Sequence, residues 1–101
     1  MDPHGHLDGM LIAIVGDGPL HGYGVAQALK QRSGDVFDLP EGTIYPALHR
    51  LERAGLLSSK WSTASGRKRR VYQVTARGRR AVADSRAQWR LFSAAVEAVI
   101  A

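Results

Sequence analysis

Apolar positions along the chain gather into segments separated by breakers. Residues 7–15, LDGMLIAIV, are almost continuously apolar and run into the breaker cluster GDGPLHG. In YGVAQALKQRS, Val25, Ala28 and Leu29 recur at helical spacing, and Gly34 stands where a helix stop belongs. A short connection over 35–40 ends in Leu39-Pro40. Proline is tolerated as the first residue of a helix, because the N–H it lacks would have no partner there. EGTIYPALHRLERAGLL (41–57) then sets Ile44, Leu48 and Leu51 on one stripe and runs to about Ala54, with Gly55 as its αL cap.

Beyond Gly55 the period changes. LLSSKW (56–61) and RRVYQVT (69–75) read as strands joined by the polar turn STASGRK, hence a hairpin. Thr75 is the candidate N-cap of a proline-free helix over 76–101. The expected fold is mainly α with a small β-hairpin: three helices, the hairpin, then a long helix. A polar, basic third helix followed by a basic-tipped hairpin describes a winged helix-turn-helix. A major groove about 12 Å wide accepts one helix, and a flanking hairpin reaches the neighbouring backbone or minor groove. The expected division is 1–75 for the winged domain, with the recognition helix at about 41–54 and the wing at about 57–75. A C-terminal dimerisation helix occupies 76–101.

Size and composition narrow the partners. A chain of 101 residues makes one domain with a modest core, and such domains often gain stability by pairing. No apolar run approaches a membrane span, and MDPHGHLDG lacks the basic-then-apolar order of a secretory leader. Without cysteine there is no disulfide framework and no thiolate chemistry. The expectation is a cytoplasmic protein with no membrane partner.

Charge placement adds more than its total. The net +5 divides into −4 over residues 1–41 and +9 over 42–101. Between Arg50 and Arg80 there are ten basic side chains and one acid, Glu52. Such density is an electrostatic footprint for phosphate. Arg67, Lys68, Arg69 and Arg70 stand together at the hairpin, with Arg67 and Arg69 expected on one side and Lys68 and Arg70 on the other. An arginine at such a tip suits a narrow minor groove. Arg77, Arg79 and Arg80 crowd the start of the last helix, the unfavourable end for cations by about 0.3–1 kcal/mol each.

The wet face of the third helix completes the candidate interface. With Ile44, Leu48 and Leu51 inward, Thr43, Tyr45, Pro46, His49 and Arg50 face solvent. Thr43 and Tyr45 can hydrogen-bond phosphate or base, Pro46 can pack on a thymine methyl, and His49 and Arg50 can reach bases or backbone. If the helix starts near Thr43, Pro46 lies in its first turn; if it starts at Pro40, Pro46 removes one hydrogen bond.

Two other chemistries are excluded by spacing. MLIAIVGDGPLHGYG looks like a strand running into G-x-G, but the third glycine is misplaced and Pro19 interrupts the approach to a dinucleotide fingerprint. His4, His6, His21 and His49 lack cysteine partners and any i, i+4 pair, so no metal or other cofactor is expected, and HGH reads as a solvated tail. No nucleophile–base pair or carboxylate pair supports an enzyme. The competing class is a protein-interaction module with incidental basicity.

GPLHGYGVAQAL (18–29), EGTIYPALHRLERAGLL (41–57) and SGRKRRVYQVTARG (65–78) together resemble the PadR-family winged-helix transcriptional regulators, over nearly the whole chain. Gly24 and Val71 depart from the family pattern, which often has larger and aromatic side chains there. The resemblance implies a homodimeric repressor of bacterial type, with the helix at 41–54 in the major groove, the hairpin as wing, and Tyr23 near the DNA backbone. The single last helix is similar to the short branch of the family. Its residues Val82, Trp89, Phe92, Val96 and Val99 fall at a/d spacing, a dimer seam. Some family members bind flat aromatic effectors in the dimer cavity against a tryptophan at the position of Trp89. Trp89 and Phe92 thus have two readings, packed seam or effector wall, of which packing is the simpler. The expected partners are a double-stranded operator, a second copy of the chain and a planar aromatic effector.

Overall fold

The structure, a computed structural model, describes residues 3–64 and 66–101, and side chains from residue 6 onward. Seven elements follow one another: α1 (Pro3–Gly16), β1 (Leu20–His21), α2 (Gly22–Arg32), α3 (Glu41–Arg53), β2 (Leu57–Ser62), β3 (Arg69–Val74) and α4 (Ala76–Ile100). The long axis measures 51 Å against 28 and 20 Å across, because α4 alone is 25 residues long.

α1 is the centre of the core. Leu7, Leu11, Ile12, Ile14 and Val15 are buried on it, more than one helical stripe, which is why residues 7–15 are so evenly apolar. Val25 and Leu29 of α2, Ile44, Ala47, Leu48 and Leu51 of α3, and Leu57 and Tyr72 of the sheet close around it.

The helix ends follow local chemistry. Gly34 (φ 59°) and Gly55 (φ 78°) take the left-handed conformation that frees the last carbonyls for capping. After α3, Gly55 donates to the Glu52 carbonyl at 3.0 Å and Leu56 to the Leu51 carbonyl at 3.0 Å. Thr75 caps α4, its hydroxyl accepting from the Gly78 amide at 3.0 Å and donating to the Gly55 carbonyl at 2.7 Å. α3 begins at Glu41 with Pro40 in extended conformation before it, so Pro40 precedes the helix instead of opening it. Pro46 therefore lies inside α3, where it withholds the hydrogen bond to Gly42.

The sheet corrects the two-stranded expectation. It has three strands in the order β1-β3-β2, both pairs antiparallel. β1 comes from the cluster GDGPLHG: Leu20 pairs with Tyr72 and His21 with Val71, using the edge of β3 that β2 leaves open. On the other edge the register runs from Leu57 opposite Val74 to Ser62 opposite Arg69.

Both ends of the chain correct further expectations. His6 of the HGH segment is not part of a solvated tail, since α1 starts at Pro3 and His6 meets the Trp89 ring edge-on, centroids 5.1 Å apart; the side chain of His4 lies outside the described ones. α4 does not leave the winged domain at once: Ala81 and Val82 pack on the core, and a Cβ at Gly78 would collide with the Leu56 carbonyl oxygen. Val82, expected in the dimer seam, is partly buried against its own domain. No residue of α4 after Gly78 is buried.

Candidate nucleic-acid interface

α2 and α3 form the helix-turn-helix, and the exposed side of α3 carries the expected set. Tyr45, Pro46, His49 and Arg50 are exposed and Thr43 is half-buried. Arg53, one turn beyond His49 and also exposed, belongs to this face; its i+4 spacing from His49 was the available signal. The Tyr45 ring lies so close to Gly22 that a Cβ there would overlap it. A bare backbone at the start of α2 thereby fixes the ring that α3 displays.

Arg50 is engaged already. Its guanidinium donates to the carboxylate of Asp8 on α1. Tyr23, on the first turn of α2, is half exposed and accepts from Gln27 through its hydroxyl at 3.1 Å. Its ring stacks beside His21, nearly parallel, with centroids 6.3 Å apart.

The four wing cations divide. Arg67 and Lys68 are exposed, whereas Arg69 and Arg70 are half-buried with partners inside the domain. Arg69 Nη1 lies 2.8 Å from His21 Nε2. Arg70 Nε donates to the Ser59 hydroxyl at 2.7 Å, and Ser59 donates to the Glu52 carboxylate at 2.6 Å. Arg70 Nη2 is 3.5 Å from the same Glu52 oxygen. The expected alternation holds for one side: Lys68 Nζ and Arg70 Cζ both lie over the Trp61 ring, 4.9 and 5.3 Å from its centroid. Trp61, Ser59 and Glu52 were absent from the sequence reading as site residues. The signal present was a lone acid within ten cations and an aromatic at an exposed strand position.

His21 links strand, helix and wing. Its Nδ1 accepts from the Gly24 amide at 3.0 Å, capping α2. A neutral imidazole has one acceptor nitrogen, so the cap and the Arg69 guanidinium compete for it. Burial, and then the Arg69 charge, hold the ring below its ordinary pKa. Burial, with the Glu52 carboxylate second, pushes the Tyr72 phenol up, so Tyr72 packs as a neutral ring.

The far end of α4 is of different character. Trp89, Phe92, Val96, Val99 and Ile100 are exposed on one side of it, the Trp89 and Phe92 rings 6.0 Å apart. Between α1 and α4 a cavity of about 500 Å³ is lined by His6, Met10, Phe37, Val82 and Trp89, among others. Among the described residues no group of His, Asp or Glu converges to hold a metal. Nor is any helix of these residues long and apolar enough to cross a membrane.

Helix-turn-helix, capped third helix and three-stranded wing together define a winged-helix protein. A sequence model of the transcriptional regulator PadR-like family matches residues 11–84, and the chain belongs to that family. It is a family of transcriptional regulators, not of enzymes. The chain is 41% identical over 70 residues to a transcriptional regulator of Mycobacterium tuberculosis, Rv3488. That match covers 69% of this chain and spans 63% of the mycobacterial protein. A PadR family transcription regulator from Clostridium difficile is similar in structure, with TM-score 0.86 and 28% identity, over 95% of this chain and 99% of that one. Bacillus subtilis PadR, solved in complex with operator DNA, shares the fold at TM-score 0.71 and 22% identity, over 81% of this chain and 47% of that one.

Proposed function

We propose that the chain is a cytoplasmic homodimeric repressor that binds a pseudo-palindromic operator through α3 and the wing. The observation that carries this reading is the exposed face of α3, Tyr45, Pro46, His49 and Arg53, together with a wing tip that exposes Arg67 and Lys68. The similarity to a PadR crystallised on its operator supports it. Thr43, Tyr45, Pro46 and His49 read base edges, Tyr23 and the exposed wing cations Arg67 and Lys68 touch backbone, and Arg50 does so when it leaves Asp8. Arg69 and Arg70 add their charge from partly buried positions. The exposed apolar side of α4 pairs with its copy and spaces the two α3 helices by about one DNA turn, 34–36 Å. Trp89 packs in this seam on the simpler reading; the alternative is a planar aromatic effector that releases DNA, held in the cavity that Trp89 lines with His6, Met10, Phe37 and Val82.

Selection of duplexes from a randomised pool by the purified protein, followed by titration of the winners, tests this. Affinity should fall steeply with salt, because each phosphate neutralised contributes about 0.9 to the slope of log K against log[salt]. Replacing Arg67 and Lys68 together by alanine should flatten that slope by about 2 and weaken all duplexes alike. An interaction module without DNA binding would enrich no duplex.

A further inference from the structure

We propose that Glu52, Ser59 and Trp61 are positioning residues that brace the wing against the recognition helix, and that Arg70 is the strut of this brace instead of a phosphate ligand. The inference rests on the DNA-binding reading above, but its geometry does not.

The elements of the brace lie on one face of the sheet. Ser59 and Trp61 are two apart on β2, Trp61 pairs directly with Arg70 on β3, and Ser59 is diagonal to it. Glu52 projects from the last turn of α3. Arg70 therefore meets a hydroxyl at 2.7 Å, a carboxylate at 3.5 Å and the Trp61 ring at 5.3 Å, all at once. Lys68, at the base of the tip, rests on the same ring. Trp61 is 57% exposed, so its ring serves the two cations more than the core. The chain of contacts runs from α3 through Glu52, Ser59, Arg70 and Trp61 to Lys68. Backbone pairing holds β2 to β3, and Leu57 and Tyr72 seat the sheet in the core; this side-chain chain ties the outer part of the hairpin to α3.

The brace makes a prediction opposite to that of simple electrostatics. Glu52 is the one acid between Arg50 and Arg80, and a carboxylate there repels phosphate. Neutralising it should strengthen DNA binding if charge alone mattered. If Glu52 holds the strut, its loss should weaken binding by misplacing the wing.

The test measures binding of the best selected duplex by wild type, Glu52→Gln, Arg70→Gln and the double variant, over a range of salt. Glu52→Gln should weaken binding about tenfold, the effect of one charged hydrogen bond, with the salt slope unchanged. Arg70→Gln should weaken it comparably and move the slope by much less than the unit expected of a phosphate contact. The double variant should bind no worse than Arg70→Gln alone, since both changes break one unit. Trp61→Ala should cost about threefold, and Trp61→Phe, which keeps a ring under the cations, should restore most of it. Emission of Trp61 in a Trp89→Phe background should shift on Glu52→Gln without DNA present. The brace is overturned if Glu52→Gln binds as tightly as wild type or tighter, if the two losses add, if Arg70→Gln flattens the slope by a full unit, or if Trp61 emission ignores Glu52. A wild-type protein that enriches no duplex overturns the DNA-binding reading instead, and the emission measurement then judges the brace alone.

Discussion

The winged domain and the outer part of α4 treat their apolar side chains in opposite ways. In the first, Leu11, Ile44, Leu48 and Val25 are fully buried, Gly34 and Gly55 close α2 and α3, and Thr75 caps the start of α4. In the second, Trp89, Phe92, Val96, Val99 and Ile100 stand in solvent along one side of a 25-residue helix. Burial of such a side chain is worth about 1.5–3 kcal/mol, so the winged domain stabilises itself while the outer helix leaves the same gain unrealised. One half is complete within a single chain. The other half leaves an apolar side uncovered, which on the proposed reading a second copy of the chain covers.

Substitutions on either side of this divide should separate it. Leu48→Ala should cost about 2–5 kcal/mol of unfolding free energy, because it empties a fully enclosed site. Leu91→Ala, on the outer helix but away from the seam, should change stability by less than about 0.5 kcal/mol. Denaturant melts at fixed protein concentration check both. At the junction, Gly78→Ala drives a Cβ into the Leu56 carbonyl, a backbone atom that cannot step aside. It should destabilise by about 1–3 kcal/mol and loosen the start of α4 from the Leu56 turn, seen as a lower Tm and earlier amide exchange at the Thr75 cap.

The smallest expected effect concerns acid. In the folded chain His21 favours its neutral form, with a pKa lowered by burial and by Arg69. The unfolded chain binds the proton more readily, near the ordinary value of about 6.5, so stability is full above that pH. It declines as pH falls below it toward the lowered folded value. His21→Asn keeps a capping side chain and should remove this acid limb from a series of melts between pH 7 and 5. An unchanged limb would place its origin elsewhere.

The same divide marks what the sequence made legible. Helix ends at Gly34, Gly55 and Thr75, the stripe Ile44-Leu48-Leu51 and the wing strands are local patterns, set by residues a few positions apart. β1 was missed because two residues inside a turn-rich cluster become a strand only by pairing with Tyr72 and Val71, some fifty positions on. The partners of the cations were missed for the same reason. Arg50 finds Asp8, Arg69 finds His21 and Arg70 finds Ser59 and Glu52 across the fold, so a run of like charges in sequence became two exposed cations and two committed ones. Nothing near His6 in sequence announces that Trp89 packs against it.

The most direct test of the proposed dimer is sedimentation of wild type and Phe92→Asp, each alone and with the selected duplex. A carboxylate in the seam would be buried without a partner, a cost of several kcal/mol, while in the single chain Phe92 is already half exposed. Wild type should sediment as a dimer at micromolar concentration and bind the duplex two chains at a time. Phe92→Asp should sediment as a folded monomer with an unchanged circular dichroism spectrum and lose tight duplex binding. A wild-type chain that sediments as a monomer and still binds the full duplex tightly, or a Phe92→Asp chain that remains dimeric, would contradict the account.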